Sequence, residues 1–408
     1  MESAENLLSE LNPAQIAAVT HAGGPLLVVA GAGSGKTRVL TRRIAYLMSH
    51  RNVAPYQILA ITFTNKAAGE MKARVGELVG PVAQSMWVST FHSACVRILR
   101  QEAMRLGYSN SFSIYDSADS LRLVTIVAKE LNLDSKRYPA RQFQVMISNA
   151  KNELMGPQDY LNATSNAFEQ VVADVFSIYQ QRLQRANAMD FDDLILKTVE
   201  VLQQFPEAKA RFRSRFRHVL VDEYQDTNHA QYILVKELVG SDNEKLAPAE
   251  LCVVGDADQS IYGFRGATIR NILQFELDYP NATTVLLEQN YRSTQNILNA
   301  ANSVITKNES RKEKNLWTDS GSGALLTGYV AENEHDEARF VADEIRALQR
   351  DEKSRPGDTA IFYRTNAQSR VFEEVFMREA LPYKVVGGLR FYERREVKDL
   401  LAYLRVLA

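Results

Sequence analysis

The stretch Pro-Leu-Leu-Val-Val-Ala-Gly-Ala-Gly-Ser-Gly-Lys-Thr, residues 25–37, passes from an apolar run into a glycine-rich turn. The run at 26–30 is short and rich in β-branched residues, which predicts a buried strand, and the residues after Lys36 have helical spacing. The glycines permit backbone angles that point successive N–H groups inward, at a helix N-terminus that already favours anions. The stretch therefore predicts a strand, a phosphate-binding loop and a helix.

The end of this loop has the chemistry of nucleoside triphosphate binding. Lys36 would reach the β- and γ-phosphates, and the Thr37 hydroxyl would bind Mg²⁺. The usual pattern begins with glycine where this chain has Ala30. An ordinary glycine-rich turn is the alternative, but it does not require the Lys-Thr pair. The predicted nucleotide-binding loop comprises Ala30, Gly31, Ala32, Gly33, Ser34, Gly35, Lys36 and Thr37.

Composition limits the classes of protein to be considered. The length of 408 residues predicts two to four subdomains. The net charge of −1 provides no overall basic field, so a nucleic-acid site would have to be a local groove. Cys95 and Cys252 are predicted to be buried thiols in a reducing compartment. The acidic N-terminus is unlike a signal peptide, and no apolar run is long enough to cross a membrane, so we predict a cytoplasmic protein.

The distribution of apolar runs predicts the domain organisation. Strand-like runs at 26–30, 58–62, 218–221, 251–254 and 284–287 alternate with helical patterns, which predicts a parallel α/β sheet. From about 94 to 213 the spacing is helical, which predicts an insertion whose first helix begins at Asp116 or Ser117. Strands at 324–330 and 359–363 around a helix at 334–348 are predicted next. The predicted domains are a first core (1–93 and 214–287), the helical insertion (94–213), a second core (288–390) and a helical accessory segment (391–408).

Two carboxylates follow the strand-like run at 218–221, as a phosphate loop requires. Asp222 would hold Mg²⁺ through water, and Glu223 would act as general base on the attacking water. Gln259, after the next strand and turn, could contact the γ-phosphate or its water. Arg292 lies at the junction with the second core, where it could neutralise charge in the transition state.

Several longer motifs occur in the same chain. They are Leu-Asn-Pro-Ala-Gln at 11–15, Thr-Phe-Thr-Asn-Lys-Ala-Ala at 62–68, Ser-Thr-Phe-His at 89–92, Asp-Phe-Asp-Asp-Leu at 190–194, Val-Asp-Glu-Tyr-Gln-Asp-Thr-Asn at 221–228, the stretch 255–266, and Gln-Asn-Tyr-Arg-Ser at 289–293. Together with the phosphate loop, these motifs resemble those of the UvrD/PcrA/Rep superfamily-one DNA helicases. The resemblance extends over essentially the whole sequence.

The resemblance implies a RecA-like P-loop NTPase sheet with a helical insertion, followed by a second, incomplete RecA-like α/β domain. It implies that Gln15 recognises adenine, that Tyr291 stacks on it, and that Arg38 joins the groups serving the phosphates. It also implies an ATP-dependent 3′–5′ helicase acting on single-stranded DNA and duplex–single-strand junctions in DNA repair and replication. Repair proteins would be its partners, and it would be a monomer or weak dimer.

The resemblance also implies a DNA surface across both cores. Stacking on bases is predicted for Phe63, Tyr262 and Phe264, contacts with phosphates for Lys66, Arg265 and Arg364, and hydrogen bonds for Asn65, His92 and Asn366. For each aromatic residue alone, core packing is the alternative reading.

Members of this family carry further motifs after the position of Leu404. We therefore expect the chain to lack the C-terminal helicase motifs, to hydrolyse ATP poorly and not to unwind duplexes. Two other functions remain open. One is a helicase subunit of a RecB/AddA-type helicase-nuclease, and the other is a non-unwinding ATP-dependent DNA-binding module.

Overall fold

The computed structural model describes residues 7–241, 244, 246–263, 266–308, 313–351, 354–386, 400 and 403. The chain divides into two compact units, Met1–Ala324 and Leu325–Ala408. The domain boundaries inferred from the sequence stay a prediction. Apart from residues 400 and 403, the segment 391–408 lies outside the described residues.

The first unit is built on a six-stranded sheet in which every pair of neighbouring strands is parallel. The strand order is β3-β2-β6-β7-β1-β8, which confirms the predicted parallel α/β fold class. The strands are β1 (Leu26–Ala30), β2 (Ile58–Thr62), β3 (Trp87–Thr90), β6 (His218–Val221), β7 (Glu250–Gly255) and β8 (Thr283–Leu287). A separate parallel pair joins β4 (Ser113–Tyr115) to β5 (Ala188–Asp190).

Both faces of the sheet are covered, because side chains of alternate residues along a strand enter two different cores. In β1, Leu27 and Val29 belong to one apolar cluster, whereas Leu26, Val28 and Ala30 belong to the other. All five residues are buried. Because the strands are parallel, their carboxyl ends lie along one edge of the sheet, and this edge carries the phosphate loop.

The α-helices of the first unit begin at side-chain caps in several places. Asp116 accepts hydrogen bonds from the backbone N–H groups of Ala118 and Asp119, which confirms the predicted start of that helix. The helices are α1 (Pro13–Thr20), α2 (Lys36–Ser49), α3 (Asn65–Val79), α4 (Phe91–Glu102), α5 (Ser117–Glu130), α6 (Ala140–Asn152), α7 (Pro157–Ala163), α8 (Ala167–Arg185), α9 (Phe191–Gln204), α10 (Pro206–Arg215), α11 (His229–Val239), α12 (Arg270–Leu273), α13 (Phe275–Asp278) and α14 (Gln295–Ile305).

The predicted helical insertion contributes to two cores. Cys95 of α4, Leu194 of α9 and Phe212 of α10 pack in the same cluster as one face of the large sheet. Val124 of α5 and Phe143 of α6 belong to a separate cluster formed mainly by α5, α6 and α8. The helices α4, α9 and α10 are thus part of the sheet's own packing. Cys95 and Cys252 are free and buried, as the sequence predicts.

In the second unit the structure describes two long helices, α15 (Glu334–Arg350) and α16 (Ser369–Arg378). They pack through a small core that includes Ala338, Ala342 and Phe376. The predicted helix at 334–348 is confirmed. The predicted strands at 324–330 and 359–363 are wrong, because neither segment pairs with another strand among the described residues. A strand requires such a partner, and without one the side chain of Leu325 remains 85% exposed.

Candidate nucleotide-binding site

The phosphate loop lies between β1 and α2, and its shape depends on glycine. Gly33 and Gly35 have φ angles of +66° and +87°, which residues with a side chain rarely adopt. A Cβ atom on Gly33 would lie 2.6 Å from Nδ2 of Asn290. The Ser34 hydroxyl donates a hydrogen bond to the Gly31 carbonyl over 2.8 Å, which closes the turn. The loop delivers Lys36 and Thr37 as the first residues of α2.

The two predicted acids meet this loop from a neighbouring part of the sheet. Asp222 and Glu223 follow β6 directly, and Glu223 has a left-handed backbone conformation with φ +49°. The Lys36 ammonium lies 3.0 Å from Oε2 of Glu223, and the lysine side chain is only 12% exposed. The Glu223 N–H donates to Oδ1 of Asp222 over 3.0 Å. The structure therefore brings the lysine and both acids into one site.

Burial and like charge set the electrostatics of these acids. Burial and, to a smaller extent, the Glu223 carboxylate raise the pKa of Asp222 to about 7, although Lys36 lowers it. Burial and the Glu223 carboxylate also raise the pKa of Asp226 to about 6. Three carboxyl groups, those of Asp222, Glu223 and Asp226, thus lie near the ammonium group of Lys36, and this excess of acids favours binding of a cation.

A buried glutamine links Glu223 to the turn that carries Gln259. Gln225 donates from Nε2 to Oε2 of Glu223 over 2.9 Å, and its Oε1 accepts from the Asp256 N–H over 2.9 Å. Gln259 in turn donates from Nε2 to Oδ2 of Asp256 over 2.5 Å. A Cβ atom on Gly255 would lie 2.7 Å from Oε1 of Gln225, so this close approach requires glycine. Sequence reasoning did not select Gln225, although it lies inside a quoted motif.

The residues predicted to bind adenine contact the middle of the loop, at Gly33 and Ser34. Gln15 is buried and donates from Nε2 to the Ser34 carbonyl over 3.0 Å. Tyr291 is 52% exposed, its N–H donates to the Gly33 carbonyl over 2.9 Å, and its hydroxyl accepts from Nδ2 of Asn12 over 2.9 Å. Asn12 also caps α1 through a hydrogen bond from the Gln15 N–H. This one residue thus supports both predicted adenine contacts, a role that its N-cap position in the sequence does not reveal.

Arg292 lies against the loop, and Asn290 fixes its backbone. Asn290 accepts at Oδ1 from the Arg292 N–H over 2.8 Å and donates from Nδ2 to the Ala32 carbonyl over 2.6 Å. A Cβ atom on Gly33 would lie 2.9 Å from Cβ of Arg292. Arg38 instead forms an ion pair with Glu10.

The residues present fit a Mg²⁺ ion that shares its ligands with a nucleotide. Thr37 and Asp222 offer the oxygen donors that Mg²⁺ prefers, and the buried Asp222 carboxyl lies beside a second acid. Among the described residues, no group of three or more His, Cys, Asp or Glu side chains forms a metal cage by itself. Phosphate oxygens would therefore have to complete the coordination.

Two of the predicted DNA-stacking residues pack against each other. The rings of Phe63 and Tyr262 are stacked with centroids 5.4 Å apart and an angle of 29° between their planes. Phe63 follows β2, and Tyr262 lies a few residues beyond β7. Asn65 and Lys66 are exposed at the start of α3, close to Phe63 in the chain.

His92 lies at the start of α4 beside Phe191, with ring centroids 5.3 Å apart. Burial lowers the pKa of His92 to about 4, so its ring is neutral near pH 7 and can form hydrogen bonds without a charge. Phe191 is 50% exposed, and sequence reasoning did not select it although it lies in a quoted motif.

Four predicted DNA contacts remain. Phe264 and Arg265 lie outside the described residues. Arg364 and Asn366 are exposed and belong to the second compact unit. The roles of all the predicted site residues stay predictions.

No helix in the described ranges has the length and apolarity needed to span a bilayer.

Comparison with known proteins identifies the family. Residues 11–280 match the UvrD/REP helicase N-terminal domain, and residues 285–408 match the UvrD-like helicase C-terminal domain. The expectation that the chain lacks the C-terminal helicase motifs is not supported, because residues 285–408 match the C-terminal domain of this family.

Individual relatives agree with these matches. The chain is 63% identical to the ATP-dependent DNA helicase UvrD1 of Mycobacterium bovis, over 99% of this chain and 53% of the relative. It is 59% identical to UvrD1 of Mycobacterium leprae, over 99% of this chain and 53% of that protein. It is 53% identical to the ATP-dependent DNA helicase PcrA of Bacillus subtilis, over 98% of this chain and 54% of that protein. The chain spans about half the length of these curated relatives, and it belongs to the UvrD/REP helicase family.

Proposed function

We propose that this chain hydrolyses ATP and uses the cycle to move 3′ to 5′ along single-stranded DNA, separating duplex strands ahead of it. The observation that carries the proposal is the 3.0 Å contact between Lys36 and Glu223 at the mouth of the phosphate loop, with Asp222 beside it. This arrangement combines a phosphate-binding cation with a candidate general base. Family membership and the names of the relatives support DNA as the partner.

The nucleotide would lie along the loop from its adenine end to the acids. Gln15 and Tyr291 would contact the base, and the backbone N–H groups of the loop would bind the phosphates at the N-terminus of α2. Lys36 would contact the β- and γ-phosphates. Thr37 and Asp222 would hold Mg²⁺, which when bound neutralises phosphate charge as the bond breaks.

The acids and amides would then carry the hydrolysis. Glu223 would accept a proton from the attacking water, and Gln225 would orient the Glu223 carboxylate through the 2.9 Å hydrogen bond. Gln259 would contact the water or the γ-phosphate, and Arg292 would neutralise charge on the transferring phosphoryl group. Arg38 would assist at the phosphates after leaving Glu10.

DNA would pass over the loops that follow the carboxyl ends of the strands, at the same edge of the sheet as the phosphate loop. Phe63 and Tyr262 would stack on bases without reading sequence, as aromatic side chains do in single-strand binding sites. Lys66 would contact phosphate, and Asn65 and neutral His92 would donate or accept hydrogen bonds. Phe264, Arg265, Arg364 and Asn366 are proposed to extend this surface. Junctions of duplex and single strand would be the natural substrate.

The family resemblance supports placing this activity in DNA repair and replication in the cytoplasm, with repair proteins as partners and the chain acting as a monomer or weak dimer.

The Glu223→Gln variant tests the proposal, because it keeps the shape of the side chain and removes the base. We expect ATP binding to persist and the DNA-stimulated turnover to fall by roughly 100- to 10,000-fold. Glu207→Gln, which changes an 86% exposed glutamate, is the matched control and should leave turnover unchanged. Unchanged hydrolysis in Glu223→Gln would remove Glu223 as the base.

A strand-separation assay on the same preparations tests the movement. ATP hydrolysis that single-stranded DNA stimulates, together with displacement of a duplex strand beside a 3′ single-stranded tail, would support the proposal. Stimulated hydrolysis without displacement would instead indicate a non-unwinding DNA-binding module.

A further inference from the structure

A buried lysine lies beside the proposed hydrolysis site although it comes from a distant part of the sequence. The side chain of Lys314 is only 2% exposed. Its ammonium group contacts Oδ1 of Asp256 and lies 2.5 Å from Oδ2 of Asp258. Burying an ammonium group is costly unless close carboxylates compensate it, so this arrangement fixes the lysine and the two acids to one another.

Asp256 connects Lys314 to the residues proposed for catalysis. Its second oxygen, Oδ2, accepts the 2.5 Å hydrogen bond from Nε2 of Gln259. Its N–H donates to Gln225, which in turn donates to Glu223. Without the ammonium group, the Asp256 carboxylate would lose its charged partner and could rotate. Gln259 would then lose the acceptor that fixes its amide.

The segment that carries Lys314 also contacts the phosphate loop. We call residues 314–317 the anchoring segment. A Cβ atom on Gly31 would lie 2.1 Å from Cδ2 of Leu316, so the leucine packs directly on the start of the loop.

The same segment is hydrogen-bonded to the chain that leads to Arg292. The Asn315 N–H donates to Oε1 of Glu288 over 2.8 Å, and the Trp317 carbonyl accepts from the Asn290 N–H over 2.8 Å. The anchoring segment therefore joins the loop, the turn that carries Gln259 and the residues that precede Arg292.

We propose that Lys314 is a positioning residue for ATP hydrolysis. It holds Gln259 in position through Asp256. It also docks the anchoring segment, which fixes the position of Arg292 relative to the phosphate loop. This inference rests on the proposed ATPase function. Because Lys314 acts through Asp256, its loss should reduce turnover more than nucleotide affinity.

Lys314→Met tests this role, since methionine fills a similar volume without the charge. We expect kcat to fall roughly 10- to 100-fold, as misplaced catalytic groups commonly cause, while the affinity for a fluorescent ATP analogue changes less than about threefold. Lys314→Arg should recover part of the rate. Combined with Gln259→Ala, Lys314→Met should cause a smaller further loss than it causes alone, because part of its effect passes through the position of the Gln259 amide. Full additivity of the two losses, or an unchanged kcat, would overturn the proposal.

A second measurement does not depend on catalysis. The sequence has two tryptophans, and Trp87 is 2% exposed whereas Trp317 in the anchoring segment is 44% exposed. Acrylamide quenching of Trp317, with Trp317→Phe giving the Trp87 background, should increase in Lys314→Met if Lys314 docks the segment. Unchanged quenching would overturn the docking role. If the parent chain shows no ATPase activity, the proposed function fails while this measurement still decides the docking.

Lys314→Met removes the ammonium group that pairs with the buried Asp256 carboxylate and with Asp258, and a folding failure would prevent the kinetic test. Asp258→Asn then takes the place of Lys314→Met, because it removes one of the carboxylates that pair with Lys314 among the described residues and leaves Lys314 paired with Asp256. A lower kcat with unchanged nucleotide affinity would support the proposal, and parental kcat and parental Trp317 quenching would overturn it.

Discussion

Replacing Asp222 with asparagine should change how the stability of the chain depends on pH. The carboxyl is buried, and its pKa is raised from the usual 3.8 to about 7. Asparagine has nearly the same shape and can still accept the hydrogen bond from the Glu223 N–H, which spans 3.0 Å in the parent. The substitution therefore removes the titration and leaves most of the packing in place.

The size and sign of the effect follow from the difference between the folded and unfolded pKa. The folded carboxyl binds its proton more tightly than the unfolded one, so its contribution to stability is fully present below about pH 4 and is lost as the pH rises through about 7. At about 1.36 kcal/mol per pKa unit, the complete loss is about 4 kcal/mol. Between pH 5 and pH 8 the expected loss is about 2–3 kcal/mol.

Urea unfolding at pH 5 and pH 8 measures this loss. The free energy of unfolding of Asp222→Asn minus that of the parent should grow by about 2–3 kcal/mol between the two pH values. Asp174→Asn, which neutralises an exposed carboxylate on α8, is the matched control for loss of a charge. Saturating Mg²⁺ and ATP should stabilise the parent more than Asp222→Asn at pH 8, because Asp222 is a proposed Mg²⁺ ligand and a ligand that binds the folded state more tightly stabilises it more. A difference between variant and parent that is equal at both pH values would refute the reasoning.

Two further predictions test the loop and the DNA surface. Gly31→Ala should cost about 1–3 kcal/mol of stability, because its Cβ would lie 2.1 Å from Cδ2 of Leu316, and adding Leu316→Ala should recover part of that loss in urea unfolding. Phe63→Ala should weaken binding of a single-stranded oligonucleotide by about 1–3 kcal/mol in a fluorescence titration. An unchanged affinity would assign the Phe63 ring to packing against Tyr262 alone.

The central strands could be predicted from the sequence because nearly all of their residues are apolar. All residues of Leu26–Ala30 and of Ile58–Thr62 are buried. Because both faces of the sheet are covered, such strands appear in the sequence as continuous apolar runs. Trp87–Thr90 was missed, since two of its four residues are polar and its pairing with β2 cannot be read from local pattern. The apolar run at 324–330 was wrongly predicted as a strand for the converse reason: the pattern was present, but the described chain offers no partner.

Some residues of the candidate site could likewise be predicted from the sequence, and others could not. Lys36, Asp222 and Glu223 follow the ends of apolar runs, where topology alone brings side chains to one edge of a sheet. Lys314 could not be predicted, because its contact with Asp256 joins residues 58 positions apart and a single lysine in a polar stretch has no distinctive pattern. Asn12 looked like an N-cap and is one, but its hydrogen bond to Tyr291 depends on tertiary structure.

The partner of Lys36 suggests how nucleotide binding would prepare the base. In the structure the Lys36 ammonium pairs with Glu223 at 3.0 Å. A triphosphate in the loop would compete for that ammonium, because Lys36 is the first residue of α2, at the helix end whose backbone N–H groups would bind the phosphates. Glu223 would then lose its ion-pair partner and keep the amide of Gln225 as a hydrogen-bond donor. Binding of the phosphates would thus release the Glu223 carboxylate from Lys36 while Gln225 still holds it in place.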